Sequence, residues 1–312
     1  VSWQFTPLLP CDLAELAAYW RAAHPLHPLD DRLLAERLFA PETPASFDPE
    51  LALAARDANG RLIGLTLGVF PLLKSPDLGG LRWLGVLPEC VRSGLPEALA
   101  GEMALRLYQR GASGVRINTT PPFYLRPGID TRETALITAL LRAGWHHEAT
   151  HFNLTCDLSA WQPPTPAQIF DPDEQGYLVR RATPADGPAL AALIRLEFSE
   201  GWVHESALAF QHDPVSLFVA ECAGELAGFA AYEVSQANGA FGPTGVLLEH
   251  RQARLGRRLL WACLEDLRHA GRATCEIGWV GPVPFYHDAC GALLGPAYWC
   301  LRRDFAATPA AE

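Results

Sequence analysis

The chain has 312 residues, 49% of them apolar and 19% charged, too apolar for disorder and long enough for two cores. Its formal net charge is −10, and Lys74 is the only lysine among 25 basic residues, so no nucleic-acid partner is expected; backbone phosphates are bound by clustered cations. Eight cysteines show no C-x-x-C spacing and no window nears ~18 uninterrupted apolar residues, so reduced thiols, no metal, no membrane partner and a cytoplasmic location are expected.

Periodicity and turn residues predict a helix over 13–21, a hairpin of strands 51–56 and 62–70, and a strand over 81–87. A helix over 95–110, a strand over 115–119, a helix over 132–143 and a strand over 151–157 follow. Residues 161–176 are rich in Pro and turn formers and read as an extended linker. A strand over 177–180 precedes Thr183-Pro184-Ala185-Asp186, which combines an N-cap, a first-turn proline and an acid to open a helix over 185–198. Strands over 216–221 and 226–234 join through a tight Ala223-Gly224 turn, and another strand covers 241–248. Apolar residues at 255, 259, 260, 263, 264 and 267 predict an amphipathic helix over 255–270, ended by Gly271. A strand over 273–280, a short helix over 285–289 and a strand over 297–305 complete the chain.

The second half of this order repeats the first. Asp57-Ala58-Asn59-Gly60-Arg61-Leu62-Ile63-Gly64 is echoed by Glu221-Cys222-Ala223-Gly224-Glu225-Leu226-Ala227-Gly228. Gly85-Val86-Leu87-Pro88-Glu89 is echoed by Gly245-Val246-Leu247-Leu248-Glu249, and Pro122-Phe123-Tyr124 by Pro284-Phe285-Tyr286. Matches in one order at a near-constant offset indicate a duplicated domain, since solenoid repeats run only ~20–50 residues. The expected organisation is a domain over 1–160, a Pro-rich linker over 161–176 and a domain over 177–312. Each domain is expected to be α/β, with a mixed sheet in which an antiparallel meander precedes a strand–helix–strand crossover.

The joint with most chemistry is the turn Glu249-His250-Arg251-Gln252-Ala253-Arg254-Leu255-Gly256-Arg257-Arg258. A helix start presents unpaired N–H groups and partial positive charge, and here four arginines join it in an acidic chain. The alternative is a solvated basic helix start that makes only surface pairs. The segment resembles motif A of the GNAT acyltransferase superfamily, a strand ending in V-x-P/V followed by Q/R-x-x-G-x-G/A at the start of a long helix. Arg251 matches the Q/R, Gly256 the final glycine, and Val246, Leu247 and Leu248 the strand end. The element order resembles that fold across essentially the whole chain, as two tandem copies.

The resemblance implies an acyl-CoA-dependent N-acyltransferase, normally moving acetyl from acetyl-CoA to an amine, with no metal. It implies cofactor contacts at Val246, Leu247, Leu248, Arg251, Arg254, Leu255, Gly256 and Arg257, and a small-molecule amine as acceptor; a homodimer is compatible with it. It also implies that Tyr286, in Phe285-Tyr286 before Gly291, lies beside the CoA sulfur and protonates the leaving thiolate; the local alternative is core packing. Glu233, with Glu276 as a second candidate, is the expected base for the amine, unless water relays that proton. Both motifs depart from the pattern. Arg254 replaces the first glycine of the C-terminal turn; Pro96 replaces the last and Val91 the Q/R of the N-terminal turn, which keeps Gly94. The C-terminal domain is therefore expected to carry the chemistry. A CoA-binding scaffold with decayed motifs and an acyltransferase acting on a protein amine are the rival readings.

Overall fold

A computed structural model describes residues 2–8, 13–39, 47–117, 125–234 and 239–305. The first half contains β1 (Trp3–Pro7), α1 (Leu13–Ala23), α2 (Asp31–Phe39), β2 (Ala52–Asp57), β3 (Leu62–Val69), β4 (Leu78–Val86), α3 (Leu95–Gln109), β5 (Gly114–Ile117), β6 (Ile129–Asp130), α4 (Thr134–Arg142) and β7 (His146–Asp157). The second contains α5 (Pro166–Phe170), β8 (Tyr177–Arg181), α6 (Gly187–Glu197), α7 (Glu200–Ala209), β9 (Leu217–Cys222), β10 (Glu225–Tyr232), β11 (Ala240–Val246), α8 (Leu255–His269), β12 (Thr274–Ile277), α9 (Val283–Cys290) and β13 (Leu293–Asp304). The mixed α/β class and the repeated order agree with the sequence reading.

Two compact units result, one of Val1–His151 with Pro296–Glu312 and one of Phe152–Gly295. In unit 1 the strands run β1-β2-β3-β4-β5-β13, with β6 also on β13. Only β4–β5 is parallel there. In unit 2 they run β7-β12-β11-β10-β9-β8, and only β11–β12 is parallel. The division therefore falls within β7 and β13 rather than at 161–176. Leu154–Asp157 pair with β12 in unit 2, and Leu301–Asp304 pair with β5 in unit 1. Each repeat's last strand thus completes the sheet of the other unit. An open sheet edge accepts any strand that satisfies its backbone groups, and chain proximity does not decide which.

Residues 161–176 also differ from the extended linker expected. Thr165 and Gln168 form a capping box that opens α5, and Ile169 is buried in the unit 2 core. Arg258 holds this segment, donating to the carbonyls of Ile169 (3.0 Å), Asp171 (2.6 Å) and Tyr177 (3.0 Å). That core forms where the apolar stripe of α8 (Leu255, Leu259, Leu260, Cys263, Leu264, Leu267) meets Ala220, Ala227, Ala230 and Phe241 of the sheet. The seven cysteines among the described residues are free. Among the described residues no helix is long and apolar enough to cross a membrane. No group of three or more metal-ligating side chains occurs there.

Candidate active site

The site begins where two parallel strands part. β11 and β12 pair only at Ala240↔Glu276 and Phe241↔Ile277. Gly242 then takes φ +119, Pro243 has no N–H to donate, and the register against β10 shifts between Ala230 and Tyr232. β11 runs on to Val246 along β10 alone, so a wedge opens beside its last residues.

The turn beyond Val246 faces that wedge. Leu247 is extended and its N–H donates to the Ala227 carbonyl (3.0 Å). A 3₁₀ turn over Leu248–Ala253 follows, and Arg254 opens α8 in the left-handed conformation, φ 56 and ψ 19. The Arg254 carbonyl accepts from the Arg257 (3.1 Å) and Arg258 (3.4 Å) amides, as a helix start requires. No side chain caps the helix, so the amides of Leu255 and Gly256, the first two of α8, remain for an external acceptor. A Cβ on Gly256 would stand 3.5 Å from Phe285 and 3.8 Å from Val246, in ordinary contact. Gly256 is therefore not required by packing within the protein.

The arginines of this segment divide by what they touch. Arg251 and Arg254 are exposed; Arg251 Nε donates to the Val246 carbonyl (3.3 Å) and lies along the end of β11. Arg257 is half-buried, 5.8 Å from the Trp261 ring centre. Arg258 is buried on carbonyls and does not face the turn. Leu255 is core and contributes only its amide, whereas Leu248 is 72% exposed.

Arg254 occupies the position that Gly94 holds in unit 1, where φ is +87. That shared conformation explains the glycine of the motif, because a side chain there costs about 1–2 kcal/mol. Arg254→Gly is expected to stabilise unit 2 by about 1 kcal/mol, raising its melting temperature by about 2–4 °C. Thermal unfolding of the two proteins checks this, and an unchanged or lower midpoint refutes it.

Unit 1 treats its own turn differently. Ser93 Oγ accepts from the Leu95 amide (3.3 Å), and Pro96 supplies no amide at the second helical position. Both donors that α8 leaves open are thus used or missing on α3. Pro122, Phe123 and Tyr124 lie outside the described residues.

Tyr286 sits in α9 with its ring edge-on to Phe241 (6.1 Å) and Phe285 (4.9 Å). It is buried, and among the described residues its hydroxyl makes no hydrogen bond. Burial, reinforced by the neighbouring Cys275 and Cys290 thiols, pushes the phenol up to about 12. Phe285 links this residue to the turn through its contact with the Gly256 position.

The acids expected to act as bases are engaged otherwise. Glu233 lies just past β10 with φ 54, not within a strand. Its Oε1 accepts from the Gly239 amide (2.9 Å) and from Arg272 Nε (2.8 Å), tying the β10–β11 connection. Glu276 accepts from Asn153 Nδ2. Asn153 is fully buried and its Oδ1 accepts the Trp279 amide (2.8 Å), fixing the chain as it leaves β12. Sequence reasoning missed Asn153 because β7 belongs, by sequence, to the other repeat.

Residues 187–291 match the acetyltransferase (GNAT) family. No curated protein sequence matches the chain. Among solved structures, the chain is similar to a glucosamine N-acetyltransferase region in a fungal multi-domain GH3 β-N-acetylglucosaminidase. That similarity has TM-score 0.72 and 18% identity, covering 97% of this chain and 38% of the other. A GCN5-related N-acetyltransferase from Sphaerobacter thermophilus aligns with TM-score 0.68 and 16% identity over 97% and 95% of the two chains. A tandem GNAT protein from the clavulanic acid biosynthesis pathway aligns with TM-score 0.69 and 19% identity over 98% and 100%. The family match is thus confined to residues 187–291, while the fold of the chain as a whole is that of tandem GNAT proteins.

Proposed function

We propose that unit 2 transfers an acetyl group from acetyl-CoA to the amine of a small molecule. The carrying observation is the uncapped start of α8 beside the β11–β12 wedge, set against its closed counterpart on α3. The pyrophosphate of the cosubstrate is assigned to the Leu255 and Gly256 amides, with Arg254 and Arg257 adding charge at the rim and Arg251 lying along the strand end. The acyl arm follows the free edge of β11 at Val246, Leu247 and Leu248. The neutral amine nitrogen attacks the thioester carbonyl, the C–S bond breaks, and the nitrogen's surplus proton passes to water. Tyr286 donates its hydroxyl hydrogen bond to the sulfur as that bond breaks.

Glu233 is not assigned as the base, because its carboxylate is committed to Arg272 and the Gly239 amide. The test is thiol release from acetyl-CoA by the full chain with a panel of small amines, beside a binding titration. Amine-dependent release supports the reading. Tight binding without release from any small amine favours the protein-amine or scaffold alternatives, and no binding refutes the turn assignment.

A further inference from the structure

Unit 1 buries a set of polar side chains that are not satisfied among the described residues. Tyr19 and His24 come from α1 and the residues just after it, Trp83 from β4, Arg126 from the segment before β6, and Glu133 from the start of α4. Tyr19, His24 and Arg126 are 4%, 2% and 2% exposed. The Arg126 guanidinium lies 4.4 Å from the Trp83 ring centre, and the His24 ring is edge-on to Trp83 at 4.5 Å. A Cβ on Gly85 would fall 2.3 Å from His24 Cε1, so the missing side chain there lets His24 lie against β4.

The chemistry of the unsatisfied atoms is specific. Trp83 Nε1 can only donate, and it donates to His24 Nε2 (3.2 Å). Burial, then the Arg126 charge, hold His24 far below its usual range, so the ring is neutral. The ring proton therefore sits on Nδ1, a buried donor with no acceptor. Among the described residues, Arg126 Nε, Nη1 and Nη2 and the Tyr19 hydroxyl are likewise without hydrogen-bond partners, and so is one acceptor, Glu133 Oε2. Arg126 Nη2 and Glu133 Oε2 are 2.7 Å apart yet out of hydrogen-bond alignment. Charge is balanced within this pair while hydrogen bonding is not, and buried polar groups are seldom left so.

We propose that unit 1 holds a binding site for a small amino-acid zwitterion, with Arg126, His24 and Tyr19 taking its carboxylate and Glu133 its ammonium. A lone anion would add net negative charge beside Glu133, and a lone cation would add positive charge beside Arg126. A zwitterion satisfies both ends and leaves the buried charge at zero. Trp20, whose ring lies 4.4 Å from that of Trp83, adds buried apolar surface beside these groups, which favours a ligand with a short side chain. None of these residues belongs to the proposed acetyl-transfer site of unit 2.

The test is thermal unfolding of the full chain with millimolar glycine or L-alanine at constant ionic strength, with acetate and methylamine as half-ligands. A saturable rise of about 5–10 °C at 100-fold excess over Kd is expected for glycine or alanine. Neither half-ligand, singly or mixed, should reproduce it. Arg126→Met is expected to lose the response, because it removes the carboxylate ligand, and to melt no higher than wild type without amino acid, because Glu133 loses its counter-charge. Tyr19→Phe is expected to fold normally and to need several-fold more glycine. Absence of a rise with both amino acids, an equal rise with acetate alone, or a full glycine response in Arg126→Met or Tyr19→Phe overturns the proposal.

Discussion

Tyr286→Phe is expected to lower turnover by about 10–10²-fold while leaving acetyl-CoA affinity within about twofold. The size follows from the phenol's acidity. Burial pushes Tyr286 up to about 12, whereas a leaving thiol has a pKa near ~8.5. Full proton transfer from phenol to thiolate would run uphill by about 5 kcal/mol. A hydrogen bond to a developing thiolate contributes about 1.5–3 kcal/mol without that penalty, which sets the expected loss. The role is therefore hydrogen-bond donation, with the sulfur taking its proton from water. The sign of the pH effect follows as well. The neutral phenol is the working form, so a raised pKa extends activity to alkaline pH. At pH 10 an unshifted tyrosine would be half ionised and the rate halved, whereas a group at about 12 is only about 1% ionised. The rate constant kcat at pH 8 and at pH 10, measured for wild type and Tyr286→Phe, decides it. Because the hydroxyl has no partner among the described residues, loss of the oxygen should not lower the melting temperature. Unchanged turnover in Tyr286→Phe would leave Tyr286 a packing residue.

How much of this was legible in the sequence depends on what kind of order each element has. The stripe from Leu255 to Leu267 is read from periodicity because α8 buries one face and wets the other. Helix α7 was missed for the opposite reason. It buries Glu205 and Ser206 along with Val203 and Leu208, so no apolar stripe marks it. The left-handed residue of the turn was legible only through the paired copies, Gly94 in one and Arg254 in the other. Composition grouped Arg258 with Arg251, Arg254 and Arg257, but one residue's rotation around α8 takes it from the turn to buried carbonyls. Glu233 was read as a strand residue, yet the chain turns left-handed there so that its carboxylate can close the β10–β11 connection. The exchange of β7 and β13 between units left no local trace, since pairing at a sheet edge is read by backbone rather than side chains.

Gly256→Pro is expected to weaken acetyl-CoA binding by about 10–10²-fold or more, the effect of losing one amide donor to a charged phosphate. Unit 1 shows that the substitution is compatible with the fold. Helix α3 begins Leu95-Pro96, as α8 would begin Leu255 followed by proline, and both helices run for 15 residues. Proline is tolerated in a first helical turn because the missing N–H has no intrahelical partner there. The Cβ position at 256 has ordinary contacts with Phe285 and Val246, so the ring has room. Gly256→Ala is the matched comparison. It fills the same space, keeps the amide and favours the helix by up to ~1 kcal/mol, so its binding should stay within a few-fold of wild type. Titration of both proteins with acetyl-CoA, beside their melting curves, separates a lost donor from a lost fold. Equal weakening in Gly256→Ala and Gly256→Pro would mean that bulk, not the amide, is what the ligand meets. Wild-type affinity in Gly256→Pro would move the pyrophosphate away from α8 altogether. Gly94 offers no parallel test, because proline cannot adopt its φ of +87 and the turn itself would break.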